Sequence, residues 1–405
     1  MQANGKAIAA ARPRVVAALA ARLRDLDLAE DAFADAAAAA LSVWPQQAPR
    51  DPAAWLWKAA FRRALDARRR AAVRQRAVLD APEPEPTPEE ALLAADEPIP
   101  DERLKLIFVC CHPAIALDAR AALTLKVVCG LSTERLARAF LVAEPAMLQR
   151  ITRAKRKIAG AGVPFEVPQP SAWPERMEAV LATLEIAYAQ AYEDAALAGD
   201  AAGFAPEVLR LSGLLAELVP DDPEVLGLAA LVRFAEARRP ARLDDLGAMV
   251  PPHEQDMALW RRDLMAEGAA LMARAARIGR SGPRQILAAI HGAHLSRRET
   301  GETPWADIAG LYDVLLAVRP TPVTAVNRAV AVGEAFGAER GLAALGEVDA
   351  ERLQSWLPWH AARAGLAEKA GLRVEAVEAL EAALNLGPPP AERLFLERRL
   401  RALAH

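Results

Sequence analysis

The chain has 405 residues, 53% of them apolar and only 5% aromatic, with 50 basic against 53 acidic side chains and a net charge of −3. That length exceeds one ordinary core and suits two or three domains. Abundant alanine, with almost no β-branched run of strand length, predicts an all-α protein and argues against a sheet-built one. Three cysteines, an odd number, make no disulfide framework. No apolar run reaches bilayer length, and arginine interrupts the apolar N-terminus, so a cytoplasmic chain with no membrane contact is expected.

In chain order, residues 14–44 predict two helices, "RVVAALAARLRDL" and "LAEDAFADAAAAALSVW". After "PQQAPRDP", Asp51 as a cap and Pro52 in the first turn open a third helix, "AAWLWKAAFRRALDARRR". Nine basic residues between Arg50 and Arg76 face only Asp51 and Asp66; from Ala77 to Glu102 there are nine acids and no lysine or arginine. That acidic segment, "DAPEPEPTPEE" at its centre, reads as an extended linker. "LDARAALTLKVVCG" follows, with Asp118 as expected cap and Gly130 as expected stop.

Beyond residue 172 the chain reads as helices punctuated by "VPDDP", "RRP", "MVPP", "GRSGP", "RPTP" and "LGPPP". "AGLRVEAVEALEAALNLGP" sets Gly371, Ala376, Leu380, Ala383 and Pro388 at the positions of a tetratricopeptide-type hairpin, and weaker echoes elsewhere predict an irregular helical-repeat array. The expected organisation is a first helical domain over 1–76, a linker over 77–102, a second small domain over 103–163 and the array over 164–405.

In "EPAMLQRITRAKRKI", Met147, Ile151, Ala154 and Ile158 form one apolar stripe. The opposite face then carries Gln149, Arg153 and Arg156, flanked by Arg150, Lys155 and Lys157. With "STERLARAF" before it and a turn through Leu141, Val142 and Ala143, this is a candidate helix-turn-helix whose second helix enters a major groove. Forked Arg and Gln side chains match base edges, while Lys neutralises phosphates; the competing reading is a solvated basic surface. In the third helix, Trp55 and Trp57 beside Lys58, Arg62 and Arg63 could serve single-stranded DNA by stacking and charge, although burial in the core is the commoner place for tryptophan.

"IFVCCHPAI" places Cys110, Cys111 and His112 together. Adjacent cysteines point apart and no fourth ligand is in view, so packing at a helix end is expected in place of zinc, with a thiol sensor as the alternative. "HGAH" sets His291 and His294 three apart, but without a catalytic carboxylate motif the metal signal is weak. No constellation for catalysis, no metal site and no cofactor motif is present in the sequence.

Taken together, "DLDLAEDAFADA", "DPAAWL", "RRALDARRR", "DERLKLIFVCCHPAIALDARAALTL", "GLSTERLARAFLV", "RAKRKIAGAGVPFEVP" and, further on, "PDDPEVLGLAALV", "EQDMALW", "TPVTAVNRAVAV" and "AERLFLERRL" resemble group IV (extracytoplasmic-function type) RNA polymerase sigma factors of the subgroup with a tetratricopeptide-like C-terminal extension. The resemblance implies that Glu30, Asp31 and Asp35 bind core RNA polymerase, that Trp55, Lys58, Arg62 and Arg63 serve the minus-ten promoter element, and that Gln149, Arg150, Arg153, Lys155, Arg156 and Lys157 serve the minus-thirty-five element. It implies promoter DNA and core polymerase as partners, with the extension regulating through a partner protein or an intramolecular contact. Ala34 and Ala37 stand where the family commonly has Gln and Phe, and "AQAY" (189–192) where it has an "NEGY"-like stretch. Two other readings are a helix-turn-helix regulator whose array binds a ligand or partner without engaging polymerase, and a scaffold whose basic helices bind acidic proteins.

Overall fold

The computed structural model describes residues 2–76, 102–128, 130–139, 142–163, 165–166, 168–194, 205–348 and 353–404. The linker expected over 77–102 therefore lies outside the described residues except for Glu102. The protein is all-α: among the described residues there is no strand, only one isolated bridge between Leu243 and Met249. Among the same residues, no helix is long and apolar enough to cross a membrane. The chain divides into two compact units, Met1–Ala187 and Tyr188–His405.

In the first unit, α1 (Gln2–Leu23), α2 (Leu26–Val43) and α3 (Pro52–Arg76) pack pairwise. Val15, Val16 and Leu19 of α1, Ala29, Phe33, Ala36 and Ala40 of α2, and Leu56, Ala60, Phe61 and Ala64 of α3 are all buried; the small side chains let the helices approach closely. Helix α1 begins twelve residues before the position expected from residue 14, and Pro13 lies inside it. Proline removes one helical hydrogen bond, but Ile8 and Ala11 before it are buried with the rest of the helix, and that packing carries the helix through. Arg24, at φ 54, turns the chain, and Asp25 caps α2 by accepting from Leu28 N–H at 3.0 Å. Asp51 caps α3 as expected, accepting from Ala54 N–H at 3.0 Å.

Next come α4 (Arg103–Cys110), α5 (Leu117–Val127), α6 (Thr133–Ala139) and α7 (Glu144–Gly160). The residue capping α5 is Ala116, so Asp118 falls inside the helix and is not its cap. Gly130, at φ +76, follows α5 where the stop was expected. Helix α1 also packs on α4 and α5, which joins the two halves of this unit. Its last helix, α8 (Trp173–Asp194), crosses the boundary between the units.

The second unit runs through α9 (Ala205–Leu218), α10 (Pro223–Arg238), α11 (Arg262–Ile278), α12 (Pro283–Thr300), α13 (Trp305–Val318), α14 (Pro322–Phe336), α15 (Ala338–Gly346), α16 (Leu357–Lys369), α17 (Arg373–Asn385) and α18 (Pro390–Ala404). Each helix packs on its neighbour in the chain, as a repeat array requires. The punctuation motifs fall at helix ends: Asp222 and Thr321 cap α10 and α14, with Pro223 and Pro322 next in each helix. The expected hairpin forms around Gly371, at φ +74, with Ala376, Leu380 and Ala383 fully buried. Ala391 O accepts from Met249 N–H at 3.0 Å, so the loop after α10 meets the start of α18.

Helix α10 is buried on nearly every side. A Cβ added at its Gly227 would lie 2.7 Å from the backbone nitrogen of Gln285, whereas one at Gly310 in α13 meets nothing within 4 Å. Glycine costs a helix interior about 1 kcal/mol relative to alanine, while forcing a methyl into a packed contact costs about 1–3 kcal/mol. Gly310→Ala is expected to raise the urea midpoint and Gly227→Ala to lower it; a rise in both would show that the α10–α12 contact yields easily.

Candidate nucleic-acid interface

The amphipathic reading of α7 holds residue by residue. Met147, Ile151, Ala154 and Ile158 are buried at 0–4% exposure, and α7 packs through this side on α5 and α6. Gln149, Arg153, Arg156 and Lys157 are exposed, and Arg150 is half-buried. Backbone contact of Val142 N–H with Ala137 O at 3.0 Å shapes the turn between α6 and α7, and Pro145 stands in the first turn of α7; Leu141 lies outside the described residues. The row presented to solvent is thus fork-ended side chains spaced along one helix.

Lys155 does not belong to that exposed row. Its ammonium lies 2.8 Å from Asp27 and 2.5 Å from Glu30 of α2, and Glu30 also takes the Arg12 guanidinium at 2.7 Å. Lys155 and Glu30 are each 15% exposed, Asp27 69%. Burial pulls the Lys155 pKa down, but Glu30 and Asp27 outweigh it and hold it above the ordinary lysine value. On α5, burial depresses Lys126 despite the opposing charge of Glu30. Glu30, expected to contact polymerase, is therefore the acidic hub of this unit, while Asp31 and Asp35 are exposed. Ala34 is exposed and Ala37 half-buried on the same helix.

On α3, Trp55 is half-buried with its ring edge-on to the buried Trp44, centroids 5.6 Å apart. Trp57 stacks on Phe61 at 5.3 Å. Arg62 is exposed, Lys58 and Arg63 half-buried, and Arg63 stands 3.9 Å from Asp35 across α2. The structure thus brings the residues expected at the minus-ten and polymerase sites onto adjacent helices.

Cys110 and Cys111 are packed in the core. Cys110 and Cys111 end α4 with no exposure, and the Cys111 Sγ sits 3.8 Å from the Thr124 hydroxyl of α5 and 3.6 Å from the Thr183 hydroxyl of α8. Burial pushes the Cys111 thiol pKa up, away from reactive thiolate. His112 Nδ1 accepts from Ala114 N–H at 3.1 Å and shapes the turn before α5. Phe108 stacks on Trp173, so α8 closes over α4. Cys129 lies outside the described residues. Among the described residues, no group of three or more His, Cys, Asp or Glu side chains could hold a metal.

Residues 176–276 match a family of unknown function, DUF6596. Along nearly its whole length the chain is similar to the uncharacterized protein R00370 of Rhizobium meliloti (strain 1021), at 38% identity over 412 residues, which is 98% of this chain and 95% of that protein. This chain belongs to the same family as that Rhizobium protein. No solved structure matches it. The DUF6596 segment opens at Arg176, which donates to Phe108 O at 3.4 Å, and includes Thr183, so within the first unit it reaches the Cys111 packing site.

Asp27, Arg12 and Thr183 were not among the expected site residues. Asp27 lies one helical turn before Glu30, a legible signal, but its partner Lys155 is 128 residues away and no local pattern points to it. Removing the ammonium leaves Glu30 with Arg12 alone. Lys155→Met is expected to cost α7 about 1–2 kcal/mol of local stability at low salt, read as roughly tenfold faster amide exchange in α7. Because the folded pKa is raised, this contribution is complete below about pH 10.4 and is lost as pH climbs through the folded value. Unchanged exchange would mean that the pair holds nothing.

Proposed function

We propose that this chain is a transcription initiation factor of the sigma type, binding core RNA polymerase through α2 and reading promoter DNA through α3 and α7, with the C-terminal array regulating it. The observation that carries this reading is α7: a fully buried apolar stripe and, opposite it, Gln149, Arg153 and Arg156 in solvent on the second helix of a helix-turn-helix. Such a row suits bidentate hydrogen bonds to base edges, with Lys157 on phosphate. The α2–α3 face, with exposed Asp31, Asp35 and Arg62 and the half-buried Trp55, supports the second half of the reading.

Lys155 and Glu30 add a condition. One is expected on DNA and the other on polymerase, and here they neutralise one another. Engagement of both partners then requires α7 to part from α2. The regulator reading, DNA binding without polymerase, is favoured by the same observation, since a half-buried Glu30 already paired with Lys155 and Arg12 is a poor docking residue.

The DNA half is tested by selecting bound duplexes from a random pool and measuring affinity for the consensus. Arg153→Ala or Gln149→Ala is expected to weaken it by about ten- to a hundredfold, about 1–3 kcal/mol, and to relax preference at one position. Affinity should fall steeply with added salt. No selected sequence, or full affinity after both substitutions, would sink the reading.

A further inference from the structure

Buried cations in the second unit are neutralised in one place and not in another. Arg284, 1% exposed, lies 3.5 Å from the Glu224 carboxylate, which also accepts from the backbone N–H groups of Arg284 and Gln285 at 3.1 and 3.2 Å. Arg238, 5% exposed at the end of α10, has no such partner: among the described residues no carboxylate pairs with it. Its Nη2 stands 2.9 Å from His291 Nδ1, and its buried Nε has no hydrogen-bond partner. A guanidinium taken out of water without counter-charge is strongly disfavoured.

The neighbours do not supply that charge. A guanidinium only donates, so His291 Nδ1 accepts and the ring is neutral with its proton on Nε2. Burial, with Arg238 adding to it, lowers the pKa of His291 and takes His294 to about 3. His294 Nδ1 is itself buried without a partner. The Tyr312 hydroxyl of α13, which pairs with Asn327, is pushed up to about 12 by burial and stays protonated. Nearby carboxylates are committed: Glu236 to Arg239 and the Tyr188 hydroxyl, Glu254 to His253, Asp313 to Arg328. Arg297 and Arg298, on the helix of His291, are held by the backbone carbonyls of Gln255 and Met257, adding positive charge without acid. His291, His294 and Tyr312 are themselves only half-buried.

We propose that this end of α10, α12 and α13 binds a small oxyanion, the phosphate or carboxylate group of a metabolite, with Arg238 as counter-charge and the neutral imidazoles and the Tyr312 hydroxyl as hydrogen-bonding groups. The same contact disfavours the metal site that "HGAH" suggests, because Arg238 takes the one lone pair of the neutral His291 ring and leaves its Nε2 protonated. The proposal does not depend on the transcription reading.

Thermal unfolding of the full chain, with inorganic phosphate or malonate against sodium chloride at equal ionic strength, tests it. One of the two anions is expected to raise the midpoint by about 3 °C or more over the chloride control, and which one does so separates phosphate from carboxylate ligands. Arg238→Met should abolish that response and, without anion, unfold no earlier than the parent, since a lone buried charge is gone. Arg238→Lys and Tyr312→Phe should each keep the response but need severalfold more anion. No response of the parent beyond chloride would overturn the proposal, and so would an equal response in Arg238→Met or, should that variant fail to fold, an undiminished one in the other two.

Discussion

The ammonium of Lys155, shared between Asp27 and Glu30, is the contact on which the first unit turns. It ties α7 to α2 across most of the unit's sequence, and of the three side chains Lys155 and Glu30 are largely withdrawn from water while Asp27 is exposed. Such a pair gives little net stability, because desolvation offsets much of the attraction, but removing one partner leaves the other exposed to the full cost. Its worth lies in specificity: Glu30 gathers Arg12 and Lys155 and acts on Lys126, and so sets how the helix-turn-helix lies on the three-helix bundle.

Around it, packing is made by small residues. Alanines 29, 36 and 40 line the buried side of α2, Gly227 brings α10 onto the backbone of α12, and Gly341 approaches Gly333 so closely that an added Cβ would stand 2.7 Å from its Cα. This explains how a chain with so few aromatics builds dense cores: close backbone approach replaces bulky side chains. The array also contains a groove of about 370 Å³ beside Leu316, Pro322, Ala325 and Val348, mainly apolar. It is chemically unlike the cationic end of α10.

Much of the fold was legible because its signals are local. The cap at Asp51, the stop at Gly130, the hairpin glycine Gly371 and the stripe from Met147 to Ile158 act within one or two turns, and each stands where the pattern placed it. The start of α1 was not legible, since Pro13 reads as a break and only tertiary burial overrides it. Asp118 read as a cap because its type suits one, but the helix begins one residue earlier. The exposed row of α7 followed from periodicity alone. That Lys155 leaves this row for Glu30, that Cys111 packs on Thr183, and that Arg238 lacks an acid all depend on contacts between distant residues, which no single window contains.

The most direct measurement is run-off transcription by bacterial core RNA polymerase, supplied with the purified full chain and a library of genomic fragments, with sequencing of the transcript starts. Transcripts whose starts share two spaced upstream elements are the predicted result, with fewer of them after charge reversal at Asp31 and Asp35. DNA binding by the same preparation without initiation, and without any complex with core polymerase, would contradict the account and leave the regulator reading in its place.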